Sequence, residues 1–143
     1  MKLKTKLEPQ YDFDFDLIGI VSSAKEYTLA WHFNQDSFLH FIKGDDIEIE
    51  FKNQSRIIIS NFVFESEFVR VLLLRNKLLT SNTKMNQYFI PELQRFDYLI
   101  QMKTETEEPN INQVIEKARN IPLIQYVMKL DTDKIKNKEN LLF

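Results

Sequence analysis

Hydrophobic and polar positions alternate early in the chain: Tyr11, Phe13, Phe15 and Leu17 are separated by Asp12, Asp14 and Asp16. A period of two is that of a strand with one apolar face. Leu17-Ile18-Gly19-Ile20-Val21 continues the strand apolar on both sides, so its end is expected to be buried. At Ser23 the signal changes. Ser23 followed by Glu26 has the spacing of a capping box, in which each side chain satisfies an orphan backbone donor of the other. The helix it predicts places Tyr27, Ala30 and Trp31 on one face and ends around Asn34 to Ser37. Phe38, Leu39, Phe41 and Ile42 then form a short apolar segment closed by Lys43-Gly44-Asp45-Asp46.

Ile47, Ile49 and Phe51 alternate with Glu48, Glu50 and Lys52. After a break at Lys52 to Ser55, Arg56 to Phe64 reads as a second strand. Glu65-Ser66-Glu67 breaks the chain again, and Phe68 to Arg75 reads as a third strand. Short breaks imply antiparallel neighbours, so a three-stranded meander is expected at the centre of the sheet. The last two strands are apolar on both faces. Ile57, Ile59 and Val63 oppose Ile58, Phe62 and Phe64, while Val69, Val71 and Leu73 oppose Phe68, Leu72 and Leu74. Farther on, Phe96, Tyr98, Ile100 and Met102 share one face of a strand. Asn110 and Gln113 form a second capping box, ahead of Ile111, Val114, Ile115 and Ala118 at helical spacing. Asn120-Ile121-Pro122 stops that helix, and Leu123 to Leu130 is a final strand. The expectation is one α+β domain over residues 1–143: a mainly antiparallel sheet of five or six strands with two short helices and a charged C-terminal tail, 131–143.

A sheet that is apolar on both faces must be covered on both. Two short helices cover one. The other must be closed by the segment Asn76 to Glu92 or by another chain. Met85, Tyr88, Phe89 and Ile90 of that segment are therefore the candidate interaction loop, and a protein partner or a second copy of the chain is the expected occupant.

Composition narrows the reading. A chain of 143 residues buries roughly 68–70% of its unfolded surface and needs no disulfide or metal staple. Cysteine is absent, which removes disulfides, thiolate metal sites and cysteine nucleophiles, and fits a reducing cytoplasm. The net charge of −2 comes from interspersed acids and bases, which argues against a nucleic-acid binder. RNA binding would need Lys2, Lys4 and Lys6 to meet Lys134, Lys136 and Lys138 in space. No window is apolar enough to span a membrane, and Asp12, Asp14 and Asp16 interrupt any signal-like stretch after the first lysines. A cytoplasmic protein is expected.

Candidate chemistry is sparse. Asp12, Asp14 and Asp16 begin like a calcium loop, but its glycine and its bidentate glutamate positions fall on Leu17 and Ser23. His32 and His40 are the only histidines, too few for a zinc site. Ser22, Ser23, Ser37 and Ser60 lack the Gly-flanked turn of a nucleophile, and Gly19 and Gly44 alone cannot build a phosphate loop. Arg70 shares a strand face with Leu72 and Leu74, so it is expected to be paired, with Glu92 or Asp97 as candidates. No catalytic, cofactor-binding or metal-binding residue is assigned. The expected function is a non-enzymatic interaction or scaffold protein, with an RNA-associated or small-ligand-binding role as the alternative.

The segment Ile90-Pro91-Glu92-Leu93-Gln94-Arg95-Phe96-Asp97-Tyr98 resembles the signature of the IPExxxVDY family, small proteins of Bacteroidota bacteria with no assigned activity. Ile90, Pro91, Glu92, Asp97 and Tyr98 match, and Phe96 replaces a valine. The likeness extends over Asp14 to Trp31, Asn120 to Leu130 and the ending Lys138 to Phe143. It implies a cytosolic bacterial protein. Physically the motif reads as a loop-to-strand corner. Pro91 holds Ile90 extended, Tyr98 can bury its ring while its hydroxyl finds a partner, and Asp97 can accept backbone donors or pair with Arg95 or Arg70.

Overall fold

The computed structural model describes residues 15–35, 38–50, 56–78, 87–136 and 141. Its centre is a six-stranded antiparallel sheet. The strands are β1 (Asp16–Val21), β2 (Ile42–Lys43), β5 (Asn61–Glu65), β6 (Val69–Arg75), β9 (Tyr98–Thr104) and β10 (Tyr126–Leu130), in the order β10-β1-β9-β6-β5-β2. Two small pairs stand apart: β3 (Ile47–Glu50) with β4 (Arg56–Ile59), and β7 (Lys77–Leu78) with β8 (Gln87–Tyr88). Helices α1 (Glu26–Phe33) and α2 (Ile111–Arg119) complete an α+β domain. No helix among the described residues is long and apolar enough to cross a membrane.

Strand alternation sorts the core into two halves. Ile18 and Ile20 of β1, Val71 and Leu73 of β6, and Ile100 and Met102 of β9 pack under the helices with Leu29, Phe33, Val114 and Ala118. Leu17, Leu72, Leu74 and Leu99 point the other way. The meander does not run through the sheet as one unit, because the expected strand from Arg56 to Phe64 breaks at Ser60. There the Ser60 hydroxyl donates to Glu26 Oε1 at 2.5 Å, and the chain leaves the sheet. Ile57 and Ile59 turn under the second face, whereas Ile58 is exposed. Phe68 likewise precedes its strand and is exposed.

The second face is covered by the chain itself. The β3–β4 hairpin supplies Ile57 and Ile59, the 76–93 region supplies Leu78, Phe89 and Ile90, and the tail supplies Ile135 and Leu141. The charged tail is thus docked at two apolar points, and buried Gln101 Nε2 donates to the Leu141 carbonyl at 2.6 Å. Phe89 and Ile90, expected to be open to a partner, have no exposed surface. Tyr88 is half-buried in the β7–β8 pair, and Met85 lies outside the described residues.

The second capping box forms as expected. Gln113 N–H donates to Asn110 Oδ1 at 3.0 Å and Asn110 N–H to Gln113 Oε1 at 2.8 Å. The first does not. The N-cap of α1 is Lys25, with no side-chain cap. The buried stripe of α1 is Glu26, Leu29, Ala30 and Phe33, spaced i, i+3, i+4, i+7, and Tyr27 and Trp31 face outward. An acid at the first position of the stripe hides it from a hydrophobicity reading.

Phe96 also departs from expectation. It precedes β9 and lies in the second-face core, opposite Tyr98, because Gly19 in the neighbouring strand leaves room for its ring. A Cβ on Gly19 would stand 2.6 Å from that ring. Gly19→Ala is therefore expected to destabilise the fold by about 1–3 kcal/mol, the usual range for overpacking. Adding Phe96→Leu should recover part of the loss. Urea denaturation of the single and double variants measures this; a Gly19→Ala protein as stable as wild type would show that the ring does not need the gap.

Candidate functional site

The motif corner is built around Asn76, a residue that the strand pattern does not single out. It follows β6 and has no exposed surface. Its Nδ2 donates to the carbonyls of Leu93 and Phe96, each at 2.9 Å, and its Oδ1 accepts from Ile90 N–H at 2.8 Å. Its backbone N–H donates to the Asp97 carbonyl at 2.9 Å, and its carbonyl accepts from Phe89 N–H at 2.7 Å. Between these anchors Pro91–Leu93 forms a 3-10 turn with Pro91 in its first turn, where a missing N–H costs nothing.

The corner then holds the loop between β1 and α1. Asp97 Oδ2 accepts from Ser22 N–H at 2.9 Å. Tyr98 buries its ring, and its hydroxyl donates to the Ala24 carbonyl at 2.6 Å. Burial pushes this phenol up to about 12, against the Arg75 charge, which lowers it; Glu26 and Asp97 raise it further. Ser22 Oγ donates to the Leu123 carbonyl at 2.7 Å and accepts from Ala24 N–H at 3.1 Å. Of the motif residues, Ile90 and Phe96 lie in the core, Pro91 and Glu92 form the exposed turn, and only Asp97 and Tyr98 reach the cleft described next.

That cleft opens at this end of the sheet. It measures about 430 Å³ and is lined by the β1–α1 loop, the ends of β6 and β7, Asp97, Tyr98 and Gln125. Two cations line it, Arg75 and Lys77. Arg75 Nε donates to the Lys77 carbonyl at 2.7 Å, and its guanidinium carbon stands 5.9 Å from the centroid of the Tyr98 ring. A second groove, beside β10, is floored by Leu93, Phe96, Met128, Leu130 and Ile135 and rimmed by charges of both signs, Arg95, Lys129, Asp131 and Lys134 among them.

The other candidates fall outside the cleft. Arg70 pairs with Glu65 at 3.5 Å, neither of the expected partners. Asp16 is in β1 with Lys129 Nζ at 3.9 Å, and Asp12 and Asp14 lie outside the described residues. His32 stacks edge-on against Trp31, and His40 lies beside Phe64. Among the described residues no three metal-ligating acids, histidines or cysteines come together. Lys77 has no signal of its own in the sequence, and Arg75 stands out only as a charge beside an apolar strand, because charges at a strand end read as solvated. Their only joint signal is the spacing of two, which puts both on one side of an extended chain. No family model, curated protein or solved structure matches the chain.

Behind the cleft, Glu26 is a buried acid whose Oε2 has no hydrogen-bond partner among the described residues. Burial holds its carboxyl above the ordinary pKa. The Ser60 hydrogen bond and the charges of Lys43 and Arg75 pull it down, and Asp46 pushes it up. A raised pKa means the folded state binds this proton more tightly. The resulting stability is complete below the unfolded pKa and is lost as pH rises through the folded one. Glu26→Gln stays neutral and escapes that loss. Its melting temperature relative to wild type should therefore rise between about pH 4 and pH 7. Thermal melts across that range would refute this if the difference were flat or reversed.

The Asn76 anchor makes a sharper prediction. Asn76→Ala strands the Phe96 carbonyl and the Ile90 N–H in the interior, each at a cost of about 1–3 kcal/mol, while the Leu93 carbonyl keeps its bond from Phe96 N–H. Asn76→Asp turns a donor into an acceptor facing the same carbonyls. Both variants should lose stability by at least that range. Urea denaturation reads it, and a loss within about 0.5 kcal/mol, typical of surface changes, would show that the corner holds without Asn76.

Proposed function

We propose that this chain is a non-enzymatic binding domain and that the cleft beside the motif corner is its working site. One observation carries the reading. The wall-forming groups of the cleft are already committed to one another, while the groups facing inward are those of recognition. Ser22, Asp97 and Tyr98 spend their hydrogen bonds on holding the β1–α1 loop. The Ser22 hydroxyl donates to a carbonyl rather than to a base, and the Tyr98 phenol is held neutral, so neither is set up for nucleophilic or proton-transfer work. Arg75, Lys77, Ser23 and Gln125 remain to meet a ligand. A concave site with a few convergent polar groups on a rigid frame is the usual form of a small-ligand site.

A small-ligand role is favoured over protein docking on the second sheet face, because Ile57, Ile59, Phe89 and Ile90 already bury that face. The absence of cysteine is in keeping with the cytoplasm. The motif supports placing the chain with the IPExxxVDY proteins, whose corner would then serve to hold such a cleft.

Ser23 is exposed on the cleft wall, so Ser23→Trp should fill the cleft and leave the fold intact. A panel of charged and neutral metabolite-sized compounds, screened by thermal shift, is expected to contain members that stabilise wild type and not this variant. If every stabilising compound acts equally on both proteins, the cleft is not the site.

A further inference from the structure

We infer that the cleft is built for a phosphate-type dianion, a reading that rests on the cleft being the working site. The charge of its wall is unbalanced. Arg75 and Lys77 both line it, and neither pairs with a carboxylate of the described residues. Against them stands one carboxylate, Asp97, whose Oδ2 already accepts from the Ser22 backbone. The lining of the cleft therefore carries two cations and one carboxylate.

Geometry selects among anions. The Arg75 guanidinium is oriented before any ligand arrives, by its Nε bond to the Lys77 carbonyl and by the Tyr98 ring. That leaves its two terminal amino groups, a planar fork matched to two oxygens of one anion. A carboxylate would be satisfied by the fork and would leave Lys77 unused. A phosphate has a third oxygen and a second charge for the Lys77 ammonium, and Ser23 stands in the same wall as a further donor. α1 starts, without a side-chain cap, two residues after the cleft-lining Ala24, and its orphan N–H groups add positive potential there. The cleft volume of about 430 Å³ leaves room beyond the anion, so the ligand is a phosphate monoester of a small organic group.

Calorimetric titration with inorganic phosphate, phenyl phosphate and benzoate, at one fixed ionic strength, tests this. The expected order is phenyl phosphate tightest, inorganic phosphate weaker, and benzoate weaker still. Arg75→Gln and Lys77→Gln should each weaken phenyl phosphate by about tenfold or more, as loss of a charge-assisted contact does. Arg75→Lys, which keeps the charge and loses the fork, should also weaken it. Lys129→Gln, on β10 outside this cleft, should leave it unchanged. Melting temperatures confirm that each variant is folded, and the Lys77 variant decides the matter if the Arg75 variants are not. Benzoate binding as tightly as phenyl phosphate, equal weakening by Lys129→Gln, or no phosphate binding at all would overturn the inference. In that last case, a neutral compound lost in Ser23→Trp would leave the binding-domain reading standing.

Discussion

Asn76 places a carboxamide with no access to water between the carbonyls of Leu93 and Phe96 and the N–H of Ile90. The Ile90 N–H and the Phe96 carbonyl lie outside the ladders of the sheet, so without it they would be buried and unpaired. The amide closes a short loop onto the end of β6. Once closed, Phe96 lies over Gly19, Asp97 reaches the Ser22 N–H, and the Tyr98 hydroxyl reaches Ala24. Each wall of the cleft is thus fixed by a chain of contacts that begins at one side chain. The same corner sets Arg75 and Lys77 on either side of Asn76, so the residue that anchors the motif also places the two cations.

The second constraint is a sheet apolar on both faces. Two helices bury one face with Leu29, Phe33, Val114 and Ala118. The other is buried piecemeal, by a hairpin that leaves the sheet at Ser60, by Phe89 and Ile90, and by Ile135 and Leu141 of the tail. None of these pieces has a core of its own. Each is held by what lies beneath it, and polar ties such as Gln101 to the Leu141 carbonyl and Asn61 Nδ2 to the Asp45 carbonyl at 2.6 Å fix their positions.

The sequence makes the strands and their faces legible where alternation is clean. β6, β9 and the capping box of α2 lie where their patterns put them, to within a residue or two, and β1 ends at Val21 as expected, while the alternation from Tyr11 to Asp14 lies outside the described residues. It hides what tertiary contacts decide. The break at Ser60 needs Glu26, which is 34 positions away. The face of α1 is disguised because an acid leads its buried stripe while Tyr27 and Trp31 are exposed. Phe96 changes side because of a glycine in another strand. The motif is visible as a string of residues, yet its anchor, Asn76, and the cleft cations, Arg75 and Lys77, look like an ordinary strand end. Local patterns carry period and propensity, and a cleft is a property of residues brought together from distant parts of the chain.

The strand order has a consequence for how the molecule comes into being. β1 is among the earliest elements of the chain, but its two neighbours are β9 and β10, drawn from the last third. During synthesis β5 and β6 can pair as soon as they emerge, since only a tight turn separates them. Among the described strands, β1 has no ladder to join until Tyr98–Thr104 has emerged. Until then Leu17, Ile18 and Ile20 form an apolar segment with open edges, the kind of nascent strand that invites off-pathway association. The cleft, whose wall draws on β1, β6 and β9, therefore cannot exist before β9 has been made.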